Sequence, residues 1–389
     1  MVKKKLAFLS IFPILISCSS VSYEKKKHYT KFIIYNTNEA IAPLNTECVL
    51  TTYLKYKENE LLEIYDKFDN EIISVHKIAD SYHQYDVPGV IDVNATYNND
   101  DQIEVNDYLF DLFKKGIELT KLTEGYFNIS IGSIIDVWKD KFDNSSIYQS
   151  SPSSIKITKA KSECYTYEEI DEFIILNENK KTITLNSKKD ISNIKINFGA
   201  ISKGYALSKV CSSLNNDPYI ISLGQSSIAL KGEYPSKDRD YFIVNIVEPK
   251  LRNNDSSVSS LGKIKSYGGE SLSTSGDYQK YFIDKSTGEV RSHIINPKTG
   301  YSSSYYAEIN LISKCEGYIL DSLSTALMNI EDIYECKRII NKVENFYSIS
   351  IDYSFIKRNN SSYQIYCSSS YNDRFIEYNK SLVDSISII

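Results

Sequence analysis

Two short segments carry the residue types that polar chemistry needs. In Ser292-His293-Ile294-Ile295-Asn296-Pro297-Lys298-Thr299-Gly300, Pro297 and Gly300 punctuate a turn that displays His293, Asn296 and Thr299. About twenty residues later, Asp321, Ser324 and Thr325 fall at i, i+3 and i+4, which sets three oxygen-bearing side chains on one face of a helix. An oxygen-only trio suits a hard cation such as Mg²⁺ and the phosphates it bridges. Taken alone, either segment fits equally well an ordinary turn or a helix with a solvated polar face.

Four further stretches change that balance. Thr123-Glu124-Gly125-Tyr126-Phe127-Asn128-Ile129-Ser130-Ile131-Gly132, with Trp138 downstream, resembles the T-x-G-A-F-D-x-x-x-G segment of the ApbE family, the FAD:protein FMN transferases. Asn197-Phe198-Gly199-Ala200-Ile201-Ser202-Lys203-Gly204-Tyr205-Ala206 is similar to that family's D-x-G-A-I-A-K-G-Y-A, the most specific match of the set. Ser222-Leu223-Gly224-Gln225-Ser226 resembles its N-x-G-G-S turn and Ser273-Thr274-Ser275-Gly276-Asp277-Tyr278 its T-S-G-D-Y segment. The two opening segments then correspond to H-x-x-x-P-x-T-G and D-A-L-x-T-A. The motifs stand in family order from about Leu44 nearly to the C-terminus.

The resemblance implies an α+β fold of the ApbE, T-fold-like kind, mixed sheets with packed helices in one large catalytic domain. It implies Mg²⁺-dependent transfer of FMN from FAD to a Ser or Thr hydroxyl of an acceptor redox protein, with release of AMP. Asp321, Thr325 and the backbone carbonyl of Ala200 become the implied metal ligands, with Ser324 a further contact. Lys203 faces the anionic substrate, where the Gly199–Gly204 turn lets backbone approach phosphate. Tyr126, Phe127, Asn128, Asn197, Thr274, Ser275, Gly276, His293 and Ile294 line the flavin nucleotide, and the aromatic residues among them would otherwise read as core. His293 also has the chemistry of a general base toward the acceptor hydroxyl, alongside Asp321 and Thr325 as catalytic residues. Asn128, Asn197 and Asn296 stand where the family usually has Asp, Ser208 replaces another Asp, and Gln225 replaces a Gly. Two other readings share the same residues: a Mg²⁺-dependent FAD pyrophosphatase that releases FMN and AMP, and a non-catalytic flavin-binding lipoprotein.

The elements that must position these residues can be read from periodicity. Cys48–Lys57 is strand-like, and Asn59–Val75 and Asp107–Thr120 carry apolar residues at helical spacing. Lys141–Asp171 is Ser-rich and irregular, while Phe173–Leu176 and Thr182–Leu185 form a hairpin across Asn177–Lys180. Lys203–Leu214 and Cys315–Met328 are helices; Tyr219–Leu223, Tyr241–Val247, Ser271–Thr274 and Ala307–Ile312 are strands, and Asn253–Ser260 is a surface loop. Strands and helices mixed without strict alternation argue for α+β.

Composition bounds the remainder. The chain has 389 residues and a net charge of −5, with no basic stripe or aromatic platform for nucleic acid. Lys3, Lys4 and Lys5 followed by the apolar run Leu6–Ile16 read as a secretory signal too short to span a bilayer comfortably. Leu15-Ile16-Ser17-Cys18 matches the bacterial lipobox, in which the Cys18 thiol is lipidated after cleavage. The expected layout is a lipoprotein signal over 1–17, a lipidated tether over 18–40 and the catalytic domain over 41–389, held by acyl chains at the extracytoplasmic face of the cell membrane. The six remaining cysteines show no zinc-finger spacing, and their pairing is open.

Overall fold

The computed structural model describes residues 30–34, 43–97, 101–144, 146–186, 194–251 and 259–389; Cys18, the signal and most of the tether lie outside them. Nine strands form the central sheet: Thr30–Ile34 (β1), Cys48–Thr52 (β2), Tyr219–Leu223 (β3), Ser227–Lys231 (β4), Ser271–Gly276 (β5), Glu308–Ser313 (β6), Asp352–Asn359 (β7), Ser362–Cys367 (β8) and Val383–Ile388 (β9). Their order in space is their order in the chain. Every neighbouring pair is antiparallel except β8 and β9, which run parallel. Among the described residues, sheet pairing thus begins at Thr30, inside the stretch expected to be tether.

Alternation along the strands feeds two cores. Tyr219, Ile221 and Leu223 point into the larger one, which the long helices cover, and Ile220 points into the other. The same switch separates Ile309 and Leu311 from Ile312, and Phe355 from Ile356. On the larger side pack the helices Glu58–Ala79 (α1), Asp107–Leu122 (α2), Ser202–Ser213 (α3) and Gly317–Met328 (α4). The Asn106 side chain caps α2 by accepting from Leu109 N–H. A three-stranded sheet of Phe242–Val247, Ser260–Ser266 and Phe375–Tyr378 covers the opposite face. A third, smaller cluster joins Ile134, Trp138, Ile157, Phe282 and Ile295.

The expected hairpin forms as Ile174–Asn177 paired with Thr182–Leu185. The Ser-rich stretch 141–171 differs from expectation, because it holds a helix over Ser154–Ser162 whose N-terminus Ser153 caps by accepting from Lys156 N–H. Most of the expected loop at 253–260 lies outside the described residues, and Ser260 opens a strand. Of the described cysteines, Cys48, Cys211, Cys315, Cys336 and Cys367 form no disulfide. Among the described residues no helix is long and apolar enough to cross a membrane.

A buried polar chain runs between the two sheets. Tyr278 donates to Glu308 Oε2 and Asn310 Nδ2 to Glu308 Oε1, both at 2.8 Å, and Thr274 donates to Asn310 Oδ1 at 2.7 Å. Burial pushes the Glu308 carboxyl up to about 7 against the smaller opposing effect of these donors. The folded protein therefore keeps this proton between about pH 4.5 and 7 while the unfolded chain loses it, so the stability from Glu308 is full below about 4.5 and declines as pH rises toward 7. The decline amounts to about 3 kcal/mol. Glu308→Gln, which can still accept from Asn310 and donate to the Tyr278 oxygen, is expected to flatten that part of the profile. Thermal midpoints taken from pH 4.5 to 7.5 check this, and parallel wild-type and variant curves would refute it.

Candidate active site

The helix α4 is buried all round except at one position, Thr325, which is half-open. One turn earlier Asp321 keeps 4 % of its surface. Its Oδ2 accepts from the Gly204 backbone N–H at 2.8 Å and its Oδ1 from the Ser227 hydroxyl at 3.2 Å, with Lys203 Nζ 4.0 Å from Oδ1. A helix starting at Ser202 would normally direct the next N–H groups four residues back. Gly204 instead gives its proton to Asp321, so the Ala200 carbonyl is not taken up by α3.

This arrangement requires α3 and α4 to touch through glycine. A Cβ on Gly204 would lie 2.4 Å from the Gly317 carbonyl oxygen and 2.6 Å from Asp321 Cβ, and one on Gly317 would lie 2.9 Å from the Gly204 oxygen. Ser208 completes the crossing by accepting from Gly317 N–H at 2.9 Å.

His293 lies beside this group. Its Nδ1 is 3.3 Å from the Lys280 carbonyl, which can only accept, so Nδ1 carries the proton and Nε2 keeps a lone pair. Crowding by the surrounding protein, then the nearby Lys203 charge, pushes the imidazole down to about 4, so it is neutral at pH 7. The 293–300 turn is anchored on both sides. Trp138 Nε1 donates to the Gly300 carbonyl at 2.9 Å, and Asn296 holds the Lys298 and Thr299 N–H groups while donating to the Asn329 carbonyl.

Asn329 ties the parts together and was not singled out from the sequence. Its amide donates to the carbonyls of Tyr126 (3.1 Å), Ile295 (3.3 Å) and Thr325 (3.3 Å). The signal existed: Asn329 continues the stripe of Asp321 and Thr325 at the same four-residue spacing.

Several expected contacts have other work. Phe127 and Ile294 are buried in the larger core, with Phe127 N–H bonded to Thr123 Oγ1, and Ile294 N–H and carbonyl bonded to Ser292 Oγ and Ser303 N–H; they position their neighbours. Asn128 is buried with both amide atoms used, donating to the Tyr165 carbonyl and accepting from Ser130 N–H. The Ser324 hydroxyl is enclosed between Ser273, Ser275 and the Asp321 carbonyl, where it fastens α4 to β5 and is not presented as a ligand. Strand alternation sends Thr274 to the opposite face of the sheet from Ser273 and Ser275. Gly276 closes the strand where a Cβ would meet the Tyr278 ring at 2.3 Å. The Tyr126 ring is half-buried under Lys298 Nζ, 3.5 Å from its centroid. Asn197 Oδ1 accepts from Gly199 N–H at 2.8 Å, shaping the turn before Ala200.

The ApbE family model matches residues 44–362, most of the chain. The chain belongs to the ApbE family. Its similarity to individual ApbE relatives is modest: it is 25 % identical over 228 residues to the FAD:protein FMN transferase of Haemophilus influenzae, covering 58 % of this chain and 61 % of that protein. To the protein of the same name from Buchnera aphidicola subsp. Schizaphis graminum it is 29 % identical over 215 residues, covering 54 % and 56 %. The matched region thus spans little more than half the length of these relatives. The fold is that of the ApbE protein from Thermotoga maritima (TM-score 0.69, 18 % identity, covering 90 % of this chain and 100 % of that one) and of the flavin transferase ApbE from Vibrio cholerae (TM-score 0.64, 18 % identity, 90 % and 99 %).

Three of the five departures from the ApbE pattern, Asn128, Asn296 and Ser208, have local reasons. Asn128 and Asn296 each donate to a backbone carbonyl, which an Asp carboxylate cannot do. Ser208 caps α4. Gln225 adopts φ +60 in the β3–β4 turn, a conformation that disfavours a Cβ, next to Gly224 at φ +66. Nothing in the structure explains Gln225 or Asn197, since an Asp at 197 would accept from Gly199 equally well.

Proposed function

We propose that this chain is a Mg²⁺-dependent FAD:protein FMN transferase. The observation that carries the reading is the meeting of Asp321, the Lys203 ammonium and the uncommitted Ala200 carbonyl at the α3–α4 crossing, with a neutral His293 alongside. The donors are all oxygens, namely the Asp321 carboxylate, the Thr325 hydroxyl and the Ala200 carbonyl, the set a hard divalent cation takes. Among the described residues no three His, Cys, Asp or Glu side chains converge, so this carboxylate-poor set is the one that fits. Bound there, Mg²⁺ would neutralise the FAD diphosphate and polarise the bond to be broken.

The acceptor hydroxyl oxygen forms a bond to the FMN phosphorus, the bond between that phosphorus and the bridging oxygen breaks, and AMP departs with the bonding pair. Lys203 places a positive charge beside the diphosphate. His293 Nε2 is the free base that can take the hydroxyl proton, while its Nδ1–H holds the ring on the Lys280 carbonyl. The acceptor is a secreted or membrane redox protein with a Ser or Thr in its target segment. We further propose that Cys18 carries the lipid that holds the enzyme at the outer face of the cell membrane, a reading that rests on the segment Lys3–Cys18.

The test uses residues 19–389 with FAD, Mg²⁺ and an acceptor domain carrying a Thr target motif. Intact-protein mass spectrometry should show one phosphoester-linked FMN on the acceptor, with AMP released in equal amount and nothing transferred in chelator. AMP and free FMN without acceptor labelling would assign hydrolysis in place of transfer, and unchanged FAD would overturn the enzymatic reading.

A further inference from the structure

The pairing of β1 fixes the end of the molecule from which the membrane tether leaves. Thr30 pairs with Thr52 of β2, Thr52 with Tyr219 of β3, and Tyr219 with Lys231 of β4. The other end of the same four strands is the row Ile34, Cys48, Leu223 and Ser227, and Ser227 donates to Asp321. The helix α3 repeats this polarity. Gly204, near its start, meets Asp321, while the Lys231 ammonium donates to the Leu214 carbonyl at its far end at 2.7 Å. The residue steps from Tyr219 to Leu223 span about 13 Å, and α3 spans about 15 Å from Gly204 to Leu214. Two independent elements thus put the same separation between the tether end and Asp321.

The tether end carries a shallow open basin lined by Leu54, Asn216, Pro218, Tyr234, Pro235 and Lys237. Leu54 is 37 % exposed, and the half-buried Tyr234 ring lies against Tyr53 and under the Arg239 guanidinium. Tyrosine beside exposed aliphatic and basic groups suits the headgroup boundary of a bilayer. Glu233 stands on the same rim as Lys237, so the basin itself has little net pull on anionic lipid. The sequence supplies that pull. Lys25, Lys26 and Lys27, outside the described residues, come three to five residues before Thr30. Lysines this close to a membrane are drawn to anionic headgroups within a Debye length. From Lys27, the chain to Thr30 reaches no further than about 11 Å, whereas the twelve residues from Cys18 would allow about 40 Å and free tumbling.

We propose that the basin end of the sheet faces an anionic bilayer, held there by the Lys25–Lys27 run, and that the Asp321 site opens about 15 Å further out, turned away from the lipid. The inference rests on the Cys18 anchor proposed above and adds an orientation to it. A site at the far end of the strands takes its acceptor hydroxyl from the aqueous side. The partner it fits is a loop or domain raised off the membrane, and not a segment lying on it.

The test holds residues 19–389, with a hexahistidine head in place of Cys18, on vesicles of phosphatidylcholine and phosphatidylglycerol that contain a nickel-chelating lipid and an energy-accepting dye in the headgroup layer. A donor dye is placed by click chemistry either at position 237 on the basin rim or at position 225 in the β3–β4 turn, where Lys237 and Gln225 are both exposed. Energy transfer to the bilayer should be stronger from 237 than from 225. That difference should be lost in the triple variant Lys25→Gln, Lys26→Gln, Lys27→Gln, and also in about 1 M salt, where the Debye length falls to about 3 Å. Equal transfer from the two positions, stronger transfer from 225, or a difference unmoved by the lysine substitutions would each overturn the orientation. The chelating lipid stands in for the acyl chains, so a failed orientation is distinct from a failed anchor, which would show as a full-length chain that takes up no labelled palmitate in cells.

Discussion

Asp321→Asn is expected to lower FMN transfer about a hundredfold or more while leaving the thermal midpoint nearly unchanged. The substitution keeps the shape of the side chain. Its amide oxygen can still accept from the Gly204 N–H, so the α3–α4 crossing stays closed. What disappears is the negative charge, and among the described residues no cluster of His, Cys, Asp or Glu exists to replace it. The Lys203 ammonium, 4.0 Å away, then faces a neutral amide, and a cation at this position loses its one anionic donor. Initial rates of AMP release over a Mg²⁺ titration, alongside a thermal scan, measure both halves. Turnover near wild type would remove Asp321 from the reaction, and a large fall in midpoint would assign it to the fold instead.

The second large effect belongs to Gly204→Ala, and its sign runs against helix propensity. In a helix, alanine is favoured over glycine by about 1 kcal/mol. Here the added methyl would sit 2.4 Å from the Gly317 oxygen and 2.6 Å from Asp321 Cβ, and the first of these is backbone that cannot rotate away. The helices must separate, at a cost of about 3 kcal/mol. Separation also draws Gly204 N–H from the Asp321 carboxylate, so activity should fall with stability. A drop of several degrees in the midpoint together with lost transfer is the expected pair. An equal or higher midpoint would mean that the crossing has slack the structure does not show.

Elements whose apolar positions repeat cleanly were legible in the sequence. The helix Asp107–Leu122 and the hairpin after Phe173 fell within a few residues of their expected bounds. The helix Ser154–Ser162 was missed because its cap, Ser153, sits in a serine-rich run that reads as loop. At the site, the six motifs singled out Asp321, Lys203, Thr325 and His293, because each is fixed by local spacing on its own turn or helix, and the fold brings Lys203 beside both Asp321 and His293. The duties of Ser324, Thr274 and Asn128 were not readable, since each depends on a partner brought from far along the chain: Ser273 and Ser275, Asn310, and Tyr165. Thr274 shows the limit most plainly. Motif membership placed it with Ser275, but consecutive strand residues face opposite ways, and only the sheet's two covered faces reveal that it serves a different chamber.

The order of the central sheet has a kinetic consequence. Strands β3 to β8 pair with near neighbours in the chain, so that half of the sheet can zip up in short steps. Pairing of β2 with β3, in contrast, waits for the whole segment from Tyr53 to Pro218 to close as a loop, an entropic toll of about 4–5 kcal/mol. That segment ends with α3 and Lys203, whereas Asp321 belongs to the rapidly closing half. Lys203 and Asp321 therefore meet late, and an early intermediate should hold Asp321 without its lysine. Pulse-labelling hydrogen exchange during refolding would show β5 and β6 protected before β2, and simultaneous protection would rule the sequence out. A nascent chain on this route would stay chemically silent until its last large loop has shut.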